Sequence, residues 1–121
     1  MNILYVALGG FLGALCRVAI SYAMPFDGGF PIATFIVNCA GSIGFALFLR
    51  TSLSKSPALH LFATTGFFGS FTTFSAFSYE TVMLIQQNEW LLSFIYVCST
   101  VLVSFGAVFA VFHSQNRRSA T

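Results

Sequence analysis

The chain has 121 residues, 57% of them hydrophobic and only 7% charged, and its mean hydropathy is +0.87. Soluble domains carry about 25% charged residues, so this composition excludes a water-soluble fold. A formal net charge of +2 leaves no electrostatic footprint for nucleic acid.

The first predicted helix covers about 3–24 and is closed by Pro25 and the turn Asp27-Gly28-Gly29. Its start, Met1 to Tyr5, has no basic segment, so it reads as a retained span and not a cleaved leader. Gly9 with Gly13, and Gly10 with Ala14, are small residues at a spacing that lets helix backbones approach closely in lipid. The second predicted helix, about 31–50, opens on Pro31, whose missing N–H is harmless in a first turn. Ala40 and Gly44 form another small-residue pair within it. A basic, Ser-rich loop then runs to Pro57. The third predicted segment covers about 58–87, Asn88 and Glu89 supply the turn, and the fourth covers about 90–113 before a polar tail, 114–121.

Each segment is near the roughly 20 residues that a spanning helix needs. The expected fold is therefore an all-α membrane protein, a single integral membrane domain over 1–121 with four transmembrane helices per subunit. Four short helices with apolar outer faces leave little surface to line an aqueous route. An oligomer, first of all a dimer, is expected. Cys16, Cys39 and Cys98 lie in separate apolar segments without metal-ligand spacing, and read as packing residues. His60 and His113 lie near segment ends, where the membrane interface is expected.

The polar anomaly is the stretch from Gly66 to Glu80. It places glycines, a run of hydroxyl side chains and a carboxylate inside an apolar segment. Unsatisfied polar groups in hydrocarbon cost several kcal/mol each, so such a stretch must face protein, an ion or water. A helix broken mid-membrane is expected here, and broken helices are where transport chemistry commonly sits. Two ladders accompany it. Thr34, Asn38 and Ser42 stack on one face of the second helix; Tyr96, Thr100 and Ser104 do so on the fourth. Interhelical hydrogen bonding, worth about 0.6 kcal/mol per pair on average, explains one ladder alone. Two ladders beside a broken helix point to a hydrated pathway. The amide of Asn38 is the rung least suited to packing, and its NH2 suits an anion. Among 16 phenylalanines, Phe74 and Phe77 fall within the polar break. A phenyl ring is positive at its edge. Inward-turned edges favour a small anion without trapping it.

Other functions leave more unexplained. A proton-coupled multidrug exporter needs a membrane-embedded carboxylate, and Glu80 is the one candidate. A purely structural subunit accounts for the small-residue pairs but not for the break. An enzyme is not expected, because no nucleophile–base set, metal cluster or phosphate loop is present.

Three stretches together resemble the signatures of the CrcB/Fluc fluoride channels: Gly9 to Arg17, Thr34 to Ser42, and Gly66 to Glu80. The resemblance spans essentially the whole chain. It implies a fluoride-selective channel that exports fluoride passively and relieves its toxicity, in a bacterial inner (plasma) membrane. It further implies an antiparallel, dual-topology homodimer with two pores and a structural sodium ion at the dimer interface. By motif, Phe74 and Phe77 stand at the pore phenylalanines and Asn38 at the pore asparagine. Thr34, Ser78, Tyr96, Thr100 and Ser104 fall on the fluoride route, and Arg17 and Glu80 at its vestibule; on the residues alone, Arg17 also reads as a side chain snorkelling to the headgroups, and Glu80 as a helix-end partner for Arg17 or a proton site. Gly69 and Thr72 occupy the break whose backbone carbonyls hold sodium. The chain departs from the family pattern at Val18, Ser70, Ala76 and Thr100; none of these is a phenylalanine of the route or Asn38.

One feature sits awkwardly with dual topology. With four spans, Arg50, Lys55, Arg117 and Arg118 share one side, which the positive-inside rule places in the cytoplasm. Either the bias is tolerated, or a heterodimer with an oppositely oriented homologue relieves the conflict.

Overall fold

A computed structural model describes residues 2–118, the side chains of 115–118 apart, and the described backbone is helical throughout its regular elements. Helix α1 is Asn2–Ala23 and α2 is Ile32–Leu49. A short 3-10 turn, Ser52–Lys55, leads to α3, Pro57–His60, with its proline in the first turn. A π-helix, Leu61–Phe68, continues from α3 into the three-residue α4, Gly69–Phe71. Helix α5 is Phe74–Gln86 and α6 is Trp90–Arg118. The turn into α2 uses Gly28 at φ +90°, and the turn into α6 uses Asn88 at φ 62°, both left-handed positions.

Helices α1, α2 and α6 are each long and apolar enough to cross a membrane. With the composition, they make this a multi-pass membrane protein. The fourth helix runs past His113 to Arg118, so most of the stretch expected as a polar tail is helical. Ser119 to Thr121 lie outside the described residues.

The third segment is less regular than one interrupted helix. The chain leaves helical geometry at Thr72 (φ −72°, ψ 154°) and Thr73 (φ −144°, ψ 120°). Before that break lies the π-helix. Such helices are rare, and they widen the backbone where packing or function demands it. Here α1 presses on it. A Cβ on Gly9 would collide with the Phe62 carbonyl oxygen, and one on Gly13 with the Phe67 carbonyl oxygen and Ser70 Oγ. Gly66 meets Val6 O at 2.8 Å from its own Cβ position. Nothing stands where a Cβ on Gly10 would project, so Gly9 and Gly13 are the positions at which α1 has no room for a side chain.

On α2 the contact residues are Gly41, packed on Thr72 and Phe71, and Gly44, packed on Phe68; Ala40 is exposed. A side-chain clash against a backbone carbonyl costs about 1–3 kcal/mol. Gly9→Ala is therefore expected to lower the melting temperature of the detergent-solubilised protein by several degrees, while Gly10→Ala leaves it near wild type.

The remaining core joins α2, α5 and α6. Val37, Leu84 and Tyr96 are fully buried there. The Tyr96 ring lies 5.5 Å from that of Phe30 and 5.2 Å from that of Phe77. This packing positions the break against the polar ladder of α2 and the face of α6 that carries Thr100 and Ser104.

Candidate functional site

The break is held open by side chains from two other helices. Asn38, on α2, meets both backbone polar groups of Thr73 with the two ends of its amide. Its Oδ1 accepts from Thr73 N–H at 2.8 Å, and its Nδ2 donates to the Thr73 carbonyl at 3.0 Å. Arg17, on α1, donates from Nε to the Ser70 carbonyl at 3.0 Å. Ser70 Oγ in turn donates to the Gly10 carbonyl at 2.8 Å, so the serine stitches α4 to α1. Helix α5 then restarts with Thr73 as its cap, Oγ1 accepting from Ala76 N–H at 3.2 Å.

Below the break a groove of about 310 Å³ opens between α2, α5 and α6. It collects Asn38, Phe74, Phe77, Thr100 and Ser104, together with Ser42 and the break residues Thr72 and Thr73. Its lining contains no charged side chain. Phe74 is 79% exposed at the mouth, and its ring lies 5.9 Å from that of Phe77. Val101 and Phe105 also line it. They escaped the sequence reading because only the polar rungs of α6 were followed. Val101 is three positions before Ser104 and four before Phe105, and that spacing was the available signal.

The hydroxyls in this groove are internally paired. Ser42 donates to the Asn38 carbonyl at 2.8 Å, Thr100 to the Tyr96 carbonyl at 2.7 Å, and Thr72 to the Phe68 carbonyl at 2.9 Å. Ser104 points to Cys39 Sγ at 3.8 Å. Bonds of this type, back to a carbonyl one turn earlier, are weak competitors in a helix. An anion entering the groove can draw the hydroxyl hydrogens away by rotation alone. Asn38 spends one amide hydrogen on Thr73 and keeps a second.

Thr34, Tyr96 and Glu80 form a separate cluster and do not line the groove. Glu80 is 8% exposed; its Oε1 accepts from Thr34 Oγ1 at 2.8 Å and its Oε2 from Tyr96 Oη at 2.8 Å. The carboxylate expected at a vestibule beside Arg17 thus sits buried between α2, α5 and α6, while Arg17 braces the break from α1. The Tyr96 and Thr34 hydroxyls, expected along the route, are committed to Glu80. Ser78 is half-buried.

Gly69 and Thr72 line a second groove of about 330 Å³ with Gly41, Ser42 and Phe68. Ser42 and Thr72 belong to both grooves. In an unbroken helix the Gly69 carbonyl would receive Thr73 N–H, and the Thr72 carbonyl would receive Ala76 N–H. The first donor is taken by Asn38 and the second by Thr73 Oγ1. The donor set released at the break is neutral carbonyl oxygen, which suits a hard cation. Among the described residues no group of three or more His, Cys, Asp or Glu side chains could hold a metal.

A family model described as "CrcB-like protein, Camphor Resistance (CrcB)" matches residues 4–112. A protein of Chlorobaculum tepidum named fluoride-specific ion channel FluC is 45% identical over 114 residues, 90% of each chain. A Methanococcus aeolicus protein of the same name is 47% identical over 90 residues, 73% of each chain. Fluoride-specific ion channel FluC 1 of Halalkalibacterium halodurans is 38% identical over 125 residues, 96% of this chain and 98% of its own.

Proposed function

The chain belongs to the CrcB-like family, and on that premise we propose that it is a fluoride channel whose conduction path is the uncharged groove at the helix break. The observation that carries this is the convergence of Asn38, Phe74, Phe77, Thr100 and Ser104 on one groove without a charged lining residue. Fluoride is small and strongly hydrated, so a route must replace part of its water shell. A pore must also release what it binds. Neutral hydroxyl and amide donors, with phenyl edges between them, meet both demands better than a row of cations.

The chain crosses the membrane four times, with α3, the π-helix, α4 and α5 together making the third crossing. Arg50 Nη1 donates to Ser114 Oγ at 3.2 Å, which supports placing the ends of α2 and α6 on one side. The working unit is an antiparallel homodimer in the bacterial plasma membrane, with two fluoride routes. The basic residues near those ends oppose an even distribution of orientations. The antiparallel pair is then completed either by copies inserted against that bias or by an oppositely oriented homologue.

The Gly69 and Thr72 carbonyls would hold a sodium ion at the dimer interface. When bound, the ion supplies fixed positive charge that braces the break and favours anions nearby. Arg17 acts with it from the chain itself, holding the Ser70 carbonyl and keeping a guanidinium close to the break. Glu80 does not serve as an exporter's proton site in this reading, since both its oxygens are occupied within the packed core. The test is fluoride efflux from proteoliposomes without a pH gradient. Efflux that begins when a potassium ionophore shunts the membrane potential is expected for a channel. Efflux that requires an imposed pH gradient would instead favour proton-coupled export.

A further inference from the structure

The side chain that lines the anion groove is also the one that builds the break. Thr73 N–H is the donor an uninterrupted helix delivers to the Gly69 carbonyl, and Asn38 Oδ1 captures it at 2.8 Å. The second arm of the same amide holds the Thr73 carbonyl at 3.0 Å, which fixes this residue in its extended conformation. Between Gly69 and Thr72, the Ser70 carbonyl is spent on Arg17. The pattern is selective, because side chains occupy the Ser70 and Thr73 carbonyls and strip the helical donors from those of Gly69 and Thr72.

We infer that Asn38 is a positioning residue for the cation site: by diverting Thr73 N–H it leaves the Gly69 carbonyl free for sodium, and so couples the groove wall to that site. The inference rests on the sodium reading given above. Without the clamp, Thr73 N–H returns to Gly69, α4 extends by a residue, and an oxygen needed by the cation is spent. Coupling of this kind is reciprocal: whatever engages the Asn38 amide from the groove alters sodium affinity, and sodium alters that engagement.

The two arms of the amide separate in a substitution series. Asn38→Ala removes both. Asn38→Asp keeps an acceptor for Thr73 N–H and loses the donor to the Thr73 carbonyl. Purified protein in detergent, free of fluoride, is melted over a series of sodium concentrations at constant ionic strength, with N-methylglucamine as the replacement cation. A ligand that binds only the folded state raises its melting temperature with concentration, so the half-point reports sodium affinity. Asn38→Ala is expected to need on the order of tenfold more sodium, the loss of about one hydrogen bond's worth of preorganisation. Asn38→Asp is expected to bind sodium at least as tightly as wild type. A residue with only a structural role would lower the melting temperature in the absence of sodium without moving the half-point. If Asn38→Ala does not fold, Asn38→Ser is read in the same way, its hydroxyl being too short to span both Thr73 groups. An unchanged half-point in the folded Ala or Ser variant, or an Asp variant that weakens as Ala does, overturns the inference while leaving the sodium reading intact. A wild-type protein that sodium does not stabilise overturns both.

Discussion

Replacing Phe77 with isoleucine is expected to cut fluoride efflux at least about 100-fold, equivalent to about 2.7 kcal/mol of added barrier, while the protein still folds. Phe77 lies in the groove wall with its ring 5.9 Å from that of Phe74 and 5.2 Å from that of Tyr96. Isoleucine keeps the position apolar and fills part of the ring's space, so some stability is lost with the ring while the fold is retained. It has no quadrupole, however, and presents no positive edge to an anion that has shed part of its water. The variant thus separates the electrostatics of the ring from its bulk. Initial efflux rates measured with a fluoride electrode, set against melting temperatures, read the two effects independently. Phe109→Ile is the control, since that ring is exposed, stacks on His113 at 5.6 Å and lies outside the groove. A Phe77→Ile protein that conducts like wild type removes the ring-edge argument.

The second large effect is on folding. Glu80→Leu is expected to destabilise the protein by about 2–6 kcal/mol, because it orphans two buried hydroxyls at about 1–3 kcal/mol each. Thr34 and Tyr96 both donate to the Glu80 carboxyl group, at 3% and 0% exposure, so neither can turn to water without unpacking. Glu80→Gln should be far milder. Its carbonyl accepts from one hydroxyl, and its NH2 donates to the other, which can reverse its role. The triple variant Thr34→Val, Tyr96→Phe, Glu80→Leu replaces the whole cluster with apolar groups and is expected to recover most of the lost stability. Melting of the four proteins in one detergent checks this. If Glu80→Leu and Glu80→Gln are equally stable, the cluster is not held by these bonds.

The contrast between these two sites shows what was readable in the sequence. Apolar length identified α1, α2 and α6, and the crowd of polar residues from Gly66 to Glu80 identified the broken segment. Local spacing also placed Asn38 with Ser42, and Thr100 with Ser104, on faces that do meet in the groove. What spacing does not encode is the partner across space. Thr34 and Glu80 are 46 positions apart, and Arg17 and Ser70 are 53 apart. The first depends on how α2 packs on α5, the second on how α1 packs on α4. The ladder of α6 therefore looked uniform, whereas its first rung, Tyr96, is tied to Glu80 and only the later rungs face the groove.

The π-helix was illegible for a related reason. It arises where the carbonyls of Phe62 and Phe67 meet glycines of α1, and no local pattern in Leu61 to Phe68 announces it. Asn38 shows the limit most clearly. Its amide was readable as an anion ligand from its polarity in an apolar helix. Its grip on Thr73, 35 positions away, became visible only with the fold.

The most direct measurement of the central claim is a paired flux experiment on purified protein in liposomes, with fluoride and chloride loaded separately under equal gradients and the membrane potential shunted. Rapid loss of fluoride with chloride retained is the predicted result. Retention of both anions, or equal loss of both, would contradict a conduction path built from neutral donors and aromatic edges.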